Sequence, residues 1–290
     1  LLLLNRLVDS GRAEGFTGSE ASNCHENSST ACCKVHDEIK GEWKTSQSSD
    51  WIDENVTYDS ERAVDPYADT CSHTNQTSGN WWRIDLLSVY TISCVCIFNI
   101  ENHASNLTGA QIYIGNSREE NGTANPTCRN ITNFTIKKCN DFRFNPGVSG
   151  RYVTVFLPRN DFLILCDVKI FGKKKESPFQ LIMEKKTWAD ALDYCRGHHE
   201  TLASIVDEET QTWAELEADN SSTPFVWVGL RYTCTLGFWF WVEDLIVEFT
   251  RWAPGSKIEE CNMSGAIEKQ GNHSWSTKCA DMEFEFICKK

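Results

Sequence analysis

The residues best equipped for chemistry sit in two short stretches. "CSHTNQTSGNWWRIDL", residues 71–86, gathers a cysteine, a histidine, an Asn-Gln-Thr sequon, two tryptophans, an arginine and an aspartate. "CHENSSTACCKVH", residues 24–36, sets Cys24, Cys32, Cys33 and His36 in a cluster whose ligand types also suit zinc. The first stretch suits recognition. Histidine offers a hydrogen bond, tryptophan a flat apolar face, and arginine a fork of two aligned donors. Catalysis has no such support. His73, His103, His198, His199 and His273 are scattered over different elements, no serine stands in a Gly-X-Ser-X-Gly turn, and no phosphate-cradling glycine loop occurs. The expectation is a binding protein and not an enzyme.

Composition narrows the partners. A net charge of −13 offers no basic face to a phosphate backbone, so nucleic acid is excluded as an expected partner, as are anionic membrane surfaces. The 14 cysteines would be a liability in a reducing cytosol, and no CxxC framework organises them. Sequons occur at Asn27, Asn55, Asn75, Asn106, Asn121, Asn130, Asn133, Asn220, Asn262 and Asn272. Together these features point to a secreted or extracellular chain, membrane-anchored or free. In that setting disulfides are a better reading of residues 24–36 than zinc. The opening "LLLL" reads as the tail of a signal segment, part of an anchor, or neither; four apolar residues do not span a bilayer.

The elements that must position these residues fall into two unlike halves. Residues 1–36 are polar and aperiodic and read as an N-terminal extension. From 37 to 173, runs such as "VYTISCVCIFNI", "GAQIYIGN" and "RYVTVFLP" are strand-like and separated by Asn/Gly/Pro turns, which predicts an all-β sandwich or jelly roll. "KKKESP", residues 173–178, is the expected linker. Beyond it, 174–290 predicts an α+β domain. Its first helix is "TWADALDYCRGH", capped by Thr187 with Asp190 three residues on; its second is "DEETQTWAELEAD", acidic at its N-terminal end. Strands follow.

The second half resembles a C-type lectin-like domain. The resemblance rests on "DYC", "VWVGL", "FWFW", "RWAPG", Cys261, Cys279 and the terminal "FICKK". It implies bridges Cys195–Cys288 and Cys261–Cys279, with Trp227, Trp239, Trp241, Trp252 and Trp275 in the core. Sugar binding in that family runs through a calcium held by a Glu-Pro-Asn or Gln-Pro-Asp triplet, a following glutamate and Trp-Asn-Asp. Here those positions carry Ser256, Lys257, Ile258 and Trp275, Ser276, Thr277, and Glu259 alone matches a ligand. A calcium ion takes about 6–8 oxygens, so no calcium is expected in this half.

The first half resembles an F-type lectin, or fucolectin, domain, on "EIKGEWKTSQSS", "ERAVD", "CSHT", "WWRIDL", "GAQIYIGN", "NPTC", "GRYVTVFLP" and "LCDVKIFG" in that order. The resemblance implies a jelly-roll sandwich with bridges Cys71–Cys166 and Cys128–Cys139. It makes Trp81, Trp82, Arg83 and Asp85 frame residues, the last two paired on alternate positions. That family holds L-fucose with one histidine, two arginines and a vicinal cysteine pair. His73 matches the histidine. The arginine loop aligns with "NIENHASNLTGAQI": Ile100 stands near the first arginine, Glu101 near an aspartate, Asn102 and His103 at the cysteine pair, and Asn106 at the second arginine. The frame is kept while most of the polar contacts have changed. A different glycan held by His73, Glu101, His103, Asn106 and loop aromatics stays open. The family's structural Ca²⁺ is held largely by backbone carbonyls, with Asp65 and Asp167 at its side-chain positions, but the loop from Asp65 to Cys71 is short and lacks the usual Gly-Asn, which leaves the absence of an ion as the alternative.

Cys24, Cys32, Cys33, Cys94, Cys96 and Cys234 remain. Cys94 and Cys96 share a strand face, so each is expected to staple the extension to the sandwich, the third extension cysteine going to Cys234. Two functions of different class follow: a secreted lectin of the innate-immune type, binding glycans or glycoproteins with both usual sugar sites degenerate, or a lectin-fold ectodomain that contacts proteins. Homo-oligomerisation stays open.

Overall fold

The computed structural model describes residues 37–67, 69–100 and 106–290. Within its first half, short alternating runs become β1 (Lys44–Gln47), β2 (Trp51–Asp53), β3 (Val56–Tyr58), β4 (Ser72–His73), β5 (Asn80–Phe98), β6 (Gln111–Gly115), β7 (Thr127–Asn130), β8 (Asn140–Leu157), β9 (Ile164–Leu165) and β10 (Asp167–Lys174). The main sheet runs β1-β5-β8-β6-β7, with β10 on the far stretch of β5. β5 and β8 are 19 and 18 residues long, several times the usual strand. Their pairing shifts register between Asp85 and Tyr90 and again between Ile92 and Cys94. Such bulges bend a strand. One end of the pair is therefore flanked by β1 and β6, the other by β10. Alternation drives Trp82, Ile84, Leu86, Ile92, Val95 and Ile97 into one core with Ile112, Ile114, Val153 and Val155.

The frame residues differ from expectation in one pairing. Trp82 is fully buried and donates its indole N–H to Ser60 O at 2.9 Å, whereas Trp81 is half-buried. Asp85 is held by Arg151 from β8, through Nε at 2.7 Å and Nη2 at 2.9 Å, and not by Arg83. The strand partner presents the better fork. Arg83 turns instead to Arg118 O and lies over the rings of Trp81 and Tyr152.

The second half contains β11 (Phe179–Lys186), α1 (Trp188–His198), β12 (Thr201–Leu202), α2 (Glu208–Ala218), β13 (Phe225–Thr233), β14 (Phe238–Trp241), β15 (Met263–Glu268), β16 (Trp275–Cys279) and β17 (Phe284–Lys289). Thr187 caps α1 by accepting from Asp190 N, and Asp207 caps α2 through a reciprocal box with Thr210. The sheet runs β11-β17-β13-β15-β16, with β12 on β17 and β14 on β13. Trp227, Trp241 and Trp275 are fully buried, Trp239 nearly so, and Trp252 is half-buried against them.

The bridges redraw part of the expected cysteine map. Cys71–Cys166 and Cys195–Cys288 are formed. Cys139 pairs with Cys96, not Cys128. Cys96 faces Asp141 across the β5/β8 pair, so the residue leading into β8 meets it; Cys128 lies on β7, with β6 between it and β8. Cys261 pairs with Cys234, not Cys279. The β13/β15 register sets Arg231 opposite Ser264; Cys234 follows directly on β13 and Cys261 lies just before β15, at the same end of this antiparallel pair. Cys279 is a free thiol. Cys94 and Cys128 are disulfide-bonded too. Cys24, Cys32, Cys33, His36 and Asn27 lie outside the described residues, so the staples expected from the extension do as well; Cys96 and Cys234 are committed elsewhere.

The rim above β5 is organised by Asn80, which is fully buried. Its amide nitrogen donates to Asn75 O, Thr77 O and Asp161 O, and its oxygen accepts from Ser48 Oγ and Thr77 Oγ1. Asn80→Asp removes every donor and sets a carboxylate against three carbonyls. Stability should fall by about 3 kcal/mol, read by denaturant unfolding. Peptide mapping without reduction should recover Cys96–Cys139 and Cys234–Cys261, with Cys279 alkylated before reduction; a Cys261–Cys279 peptide would contradict this.

Candidate functional site

His73 sits on β4, which is short but firmly placed. Cys71 is bridged to Cys166 just before it, and Ser72 and His73 pair with Leu165 and Ile164 of β9. The imidazole is framed by rings: Trp51 at 5.5 Å, Phe162 at 4.9 Å and Tyr58 at 6.0 Å between centroids. Trp51 is exposed and the other three are half-buried, so the cluster is an apolar platform with a polar ring in its middle. Nδ1 lies 2.7 Å from Thr74 O. A carbonyl only accepts, so Nδ1 carries the proton.

An arginine stands beside this platform. Arg62 lies in a short 3₁₀ turn, Ser60–Ala63, with its guanidinium 4.8 Å from the Tyr58 ring centroid. Its Nε donates to Cys71 O at 2.9 Å. Nη1 and Nη2 have no partner among the described residues, which leaves two donors on a fixed fork. Gln47 ties the same corner together, donating to Asp50 Oδ1 and Tyr58 O at 2.8 Å.

Asn106 is placed otherwise. Its side chain accepts from Thr108 N, and Arg159 grips the turn through Asn106 O and Thr108 O. Arg159 also bonds Asp161 at 3.1 Å, next to Phe162. Asn106 thus belongs to a turn that Arg159 fastens to the Phe162 loop, and no contact brings its side chain to His73. Glu101 and His103 lie outside the described residues.

Asp65 and Asp167 line one cleft of about 310 Å³ with Glu38, Trp43 and Lys169. Asp65 is engaged by Thr70 Oγ1 at 2.7 Å from both oxygens and by Tyr67 N at 2.9 Å. Asp167 is neutralised by Lys169 at 2.8 Å. Among the described residues no third His, Cys, Asp or Glu joins either within 4.8 Å. With one carboxylate capping its own turn and the other holding an ammonium, neither side chain is set to ligate a calcium ion. In the second half Glu259 is paired to Lys257 at 2.8 Å. Ser256 Oγ donates to Ala253 O and Trp275 O, and Thr277 Oγ1 accepts from Ile258 N. The loop that would carry oxygen ligands satisfies itself, and it does not fit calcium either.

Comparisons with known proteins agree with this architecture. A family model described as "NedA-like, galactose-binding domain" matches residues 62–155, and one described as "Lectin C-type domain" matches 184–290. Fucolectin-5 of Anguilla japonica is 42% identical over 113 residues, 39% of this chain and 60% of that protein. Fucolectin-6 of the same species is 38% identical over 136 residues, covering 46% and 68%. Fucolectin of Anguilla anguilla is 34% identical over 135 residues, covering 46% of this chain and 82% of that protein. The chain belongs to the fucolectin family. It spans about 60% of the length of the first of these relatives, and it carries a C-type lectin domain behind the fucolectin domain.

Within the first domain, sequence reasoning found His73 and missed Trp51, Tyr58, Phe162 and Arg62. Trp51 and Tyr58 lay in a stretch with no motif of its own. Arg62 was visible in "ERAVD" but carried no signal until the fold set it beside Tyr58. If neither calcium site is built, thermal unfolding in calcium and in chelator should superimpose; a Tm raised by calcium would contradict it, since a ligand of the native state stabilises it by mass action.

Proposed function

We propose that this chain is a secreted glycoprotein lectin of the innate-immune type, without catalytic activity, that binds glycans through side chains and not through a bound cation. Its parts on this reading are an extension at 1–36, the fucolectin domain at 37–173 and the C-type domain at 174–290. The observation that carries it is the His73 platform. A sugar ring presents apolar C–H faces and a rim of hydroxyls, and Trp51, Tyr58 and Phe162 offer rings while the His73 imidazole and the Arg62 fork offer polar groups beside them. Arg62 would take over from the arginines missing in the loop around Ile100 and Asn106. Extracellular placement is supported by the bridges, and by the exposure of all nine described sequon asparagines. Among the described residues, no helix is long and apolar enough to cross a membrane.

A second reading, protein contact through the C-type domain, is favoured by apolar side chains left open there: Leu236, Phe238, Leu245 and Ile246, the last 79% exposed. The two separate on a glycan array run with the secreted protein, in calcium and in chelator. Lectin activity through the platform predicts hits that persist in chelator and weaken about tenfold in His73→Ala, Trp51→Ala and Arg62→Ala. A blank array from folded protein would favour the second reading, and hits lost in chelator would contradict the cation-free site.

A further inference from the structure

The two domains enclose a polar cleft of about 640 Å³ that neither lectin frame accounts for. Asn116, Arg118 and Tyr152 line it from the fucolectin domain; Glu215, Trp252 and Asn272 line it from the C-type domain. Cross-domain bonds hold its walls. Arg118 Nη2 donates to Asn272 Oδ1 at 3.0 Å, Thr212 Oγ1 to Asn116 O at 3.3 Å, and Arg251 pairs with Glu119 at 3.3 Å.

Several polar groups on these walls lack a protein partner. Tyr152 is only 5% exposed, with Arg83 and Arg151 over its ring, yet its hydroxyl has no hydrogen bond among the described residues. The ring is buried while the residue lines the cleft, so the hydroxyl is available to a ligand there. Burial pushes this phenol up to about 12, so the hydroxyl stays protonated and can donate at physiological pH. Glu215 accepts from Gln211 through Oε1, which leaves Oε2 open. The Asn116 oxygen accepts from Arg151 N, which leaves its amide nitrogen open. Trp252 packs on Trp239 and Trp275 and keeps a half-buried surface toward the cleft. A donor–acceptor hydroxyl, a carboxylate, an amide N–H and an indole are what a pyranose with hydroxyl and acetamido groups requires.

Such a sugar has a point of attachment on the wall itself. Asn272 begins the sequon Asn272-His273-Ser274, in the turn between β15 and β16 that buried His273 anchors to Glu268 O. Asn272 is exposed. Arg118 holds its oxygen, and its amide nitrogen, where an N-glycan attaches, has no partner among the described residues. Two other sequons differ: Asn220 Nδ2 donates to Leu216 O and Asn262 Nδ2 to Asp281 Oδ2. A tethered sugar meets its site at an effective concentration on the order of millimolar, so contacts too weak to hold free sugar still hold this one.

We propose that the N-glycan on Asn272 folds into this cleft, its first N-acetylglucosamine acting as an internal ligand that fastens the two domains together. The test is site-resolved release of glycans from the secreted protein by peptide N-glycosidase, native against denatured. Asn272 should be occupied, and folding should slow its release by about tenfold more than that of the other occupied sites, about 1.4 kcal/mol of protection. Tyr152→Phe and Glu215→Gln should each remove most of the difference, and Asn272→Gln should lower the Tm where Asn55→Gln does not. An unoccupied Asn272, or release as fast as from Asn55, would overturn the proposal. So would slow release that both cleft variants leave unchanged, because the turn alone would then be protecting the linkage.

Discussion

Three segments that frame His73 converge on the carboxamide of Asn80. Asn75 and Thr77 follow the histidine strand, Ser48 precedes the Trp51 hairpin, and Asp161 adjoins Phe162; all are bonded to that one buried side chain. Backbone carbonyls left without donors would be costly, and the two N–H groups of one planar amide are shared among three of them while its oxygen takes two hydroxyls. Asn80 heads the long strand β5, so the rim inherits the rigidity of the sheet. The Cys71–Cys166 bridge and the Asp161–Arg159 pair extend the same fastening to the turn at Asn106.

Both domains place a lysine where lectin frames of their kinds would hold a dication. Lys169 sits on Asp167 in the first, and Lys257 on Glu259 in the second. An ammonium neutralises a carboxylate without asking for the half-dozen oxygens that calcium needs, so the loop can close with few acids. The consequence is chemical. On the reading proposed above, sugar recognition in the first domain draws on an imidazole, a guanidinium and three rings and not on an ion. The domains are also joined by charge and amide contacts around the Asn272 cleft, and Val89 of the first sheet is buried in the second domain's core.

Strand alternation, the two capped helices and the ordered motifs of each half made the architecture legible from the residues alone. Thr187 does cap α1, and the tryptophans of the second half do fill its core. What stayed hidden depends on register and on distance across the fold. Cys234 and Cys261 are partners because the antiparallel pairing of β13 and β15 brings their neighbouring ends together, which no spacing in the chain reveals. Asp85 chose Arg151 over Arg83 because the neighbouring strand offers its fork side-on. Trp51, Arg62 and Phe162 come from three separate turns, and each looks like an ordinary surface residue until His73 is set among them.

The central claim, a sugar seat built on His73 without a metal, is tested most directly by the side-chain ¹H–¹⁵N spectrum of the histidines. L-Fucose and D-galactose would be titrated separately in the presence of chelator. The account predicts that the His73 imidazole resonances shift saturably with at least one of them while those of buried His273 stay in place. Shifts that appear only after calcium is restored, or binding that leaves His73 unmoved, would contradict it.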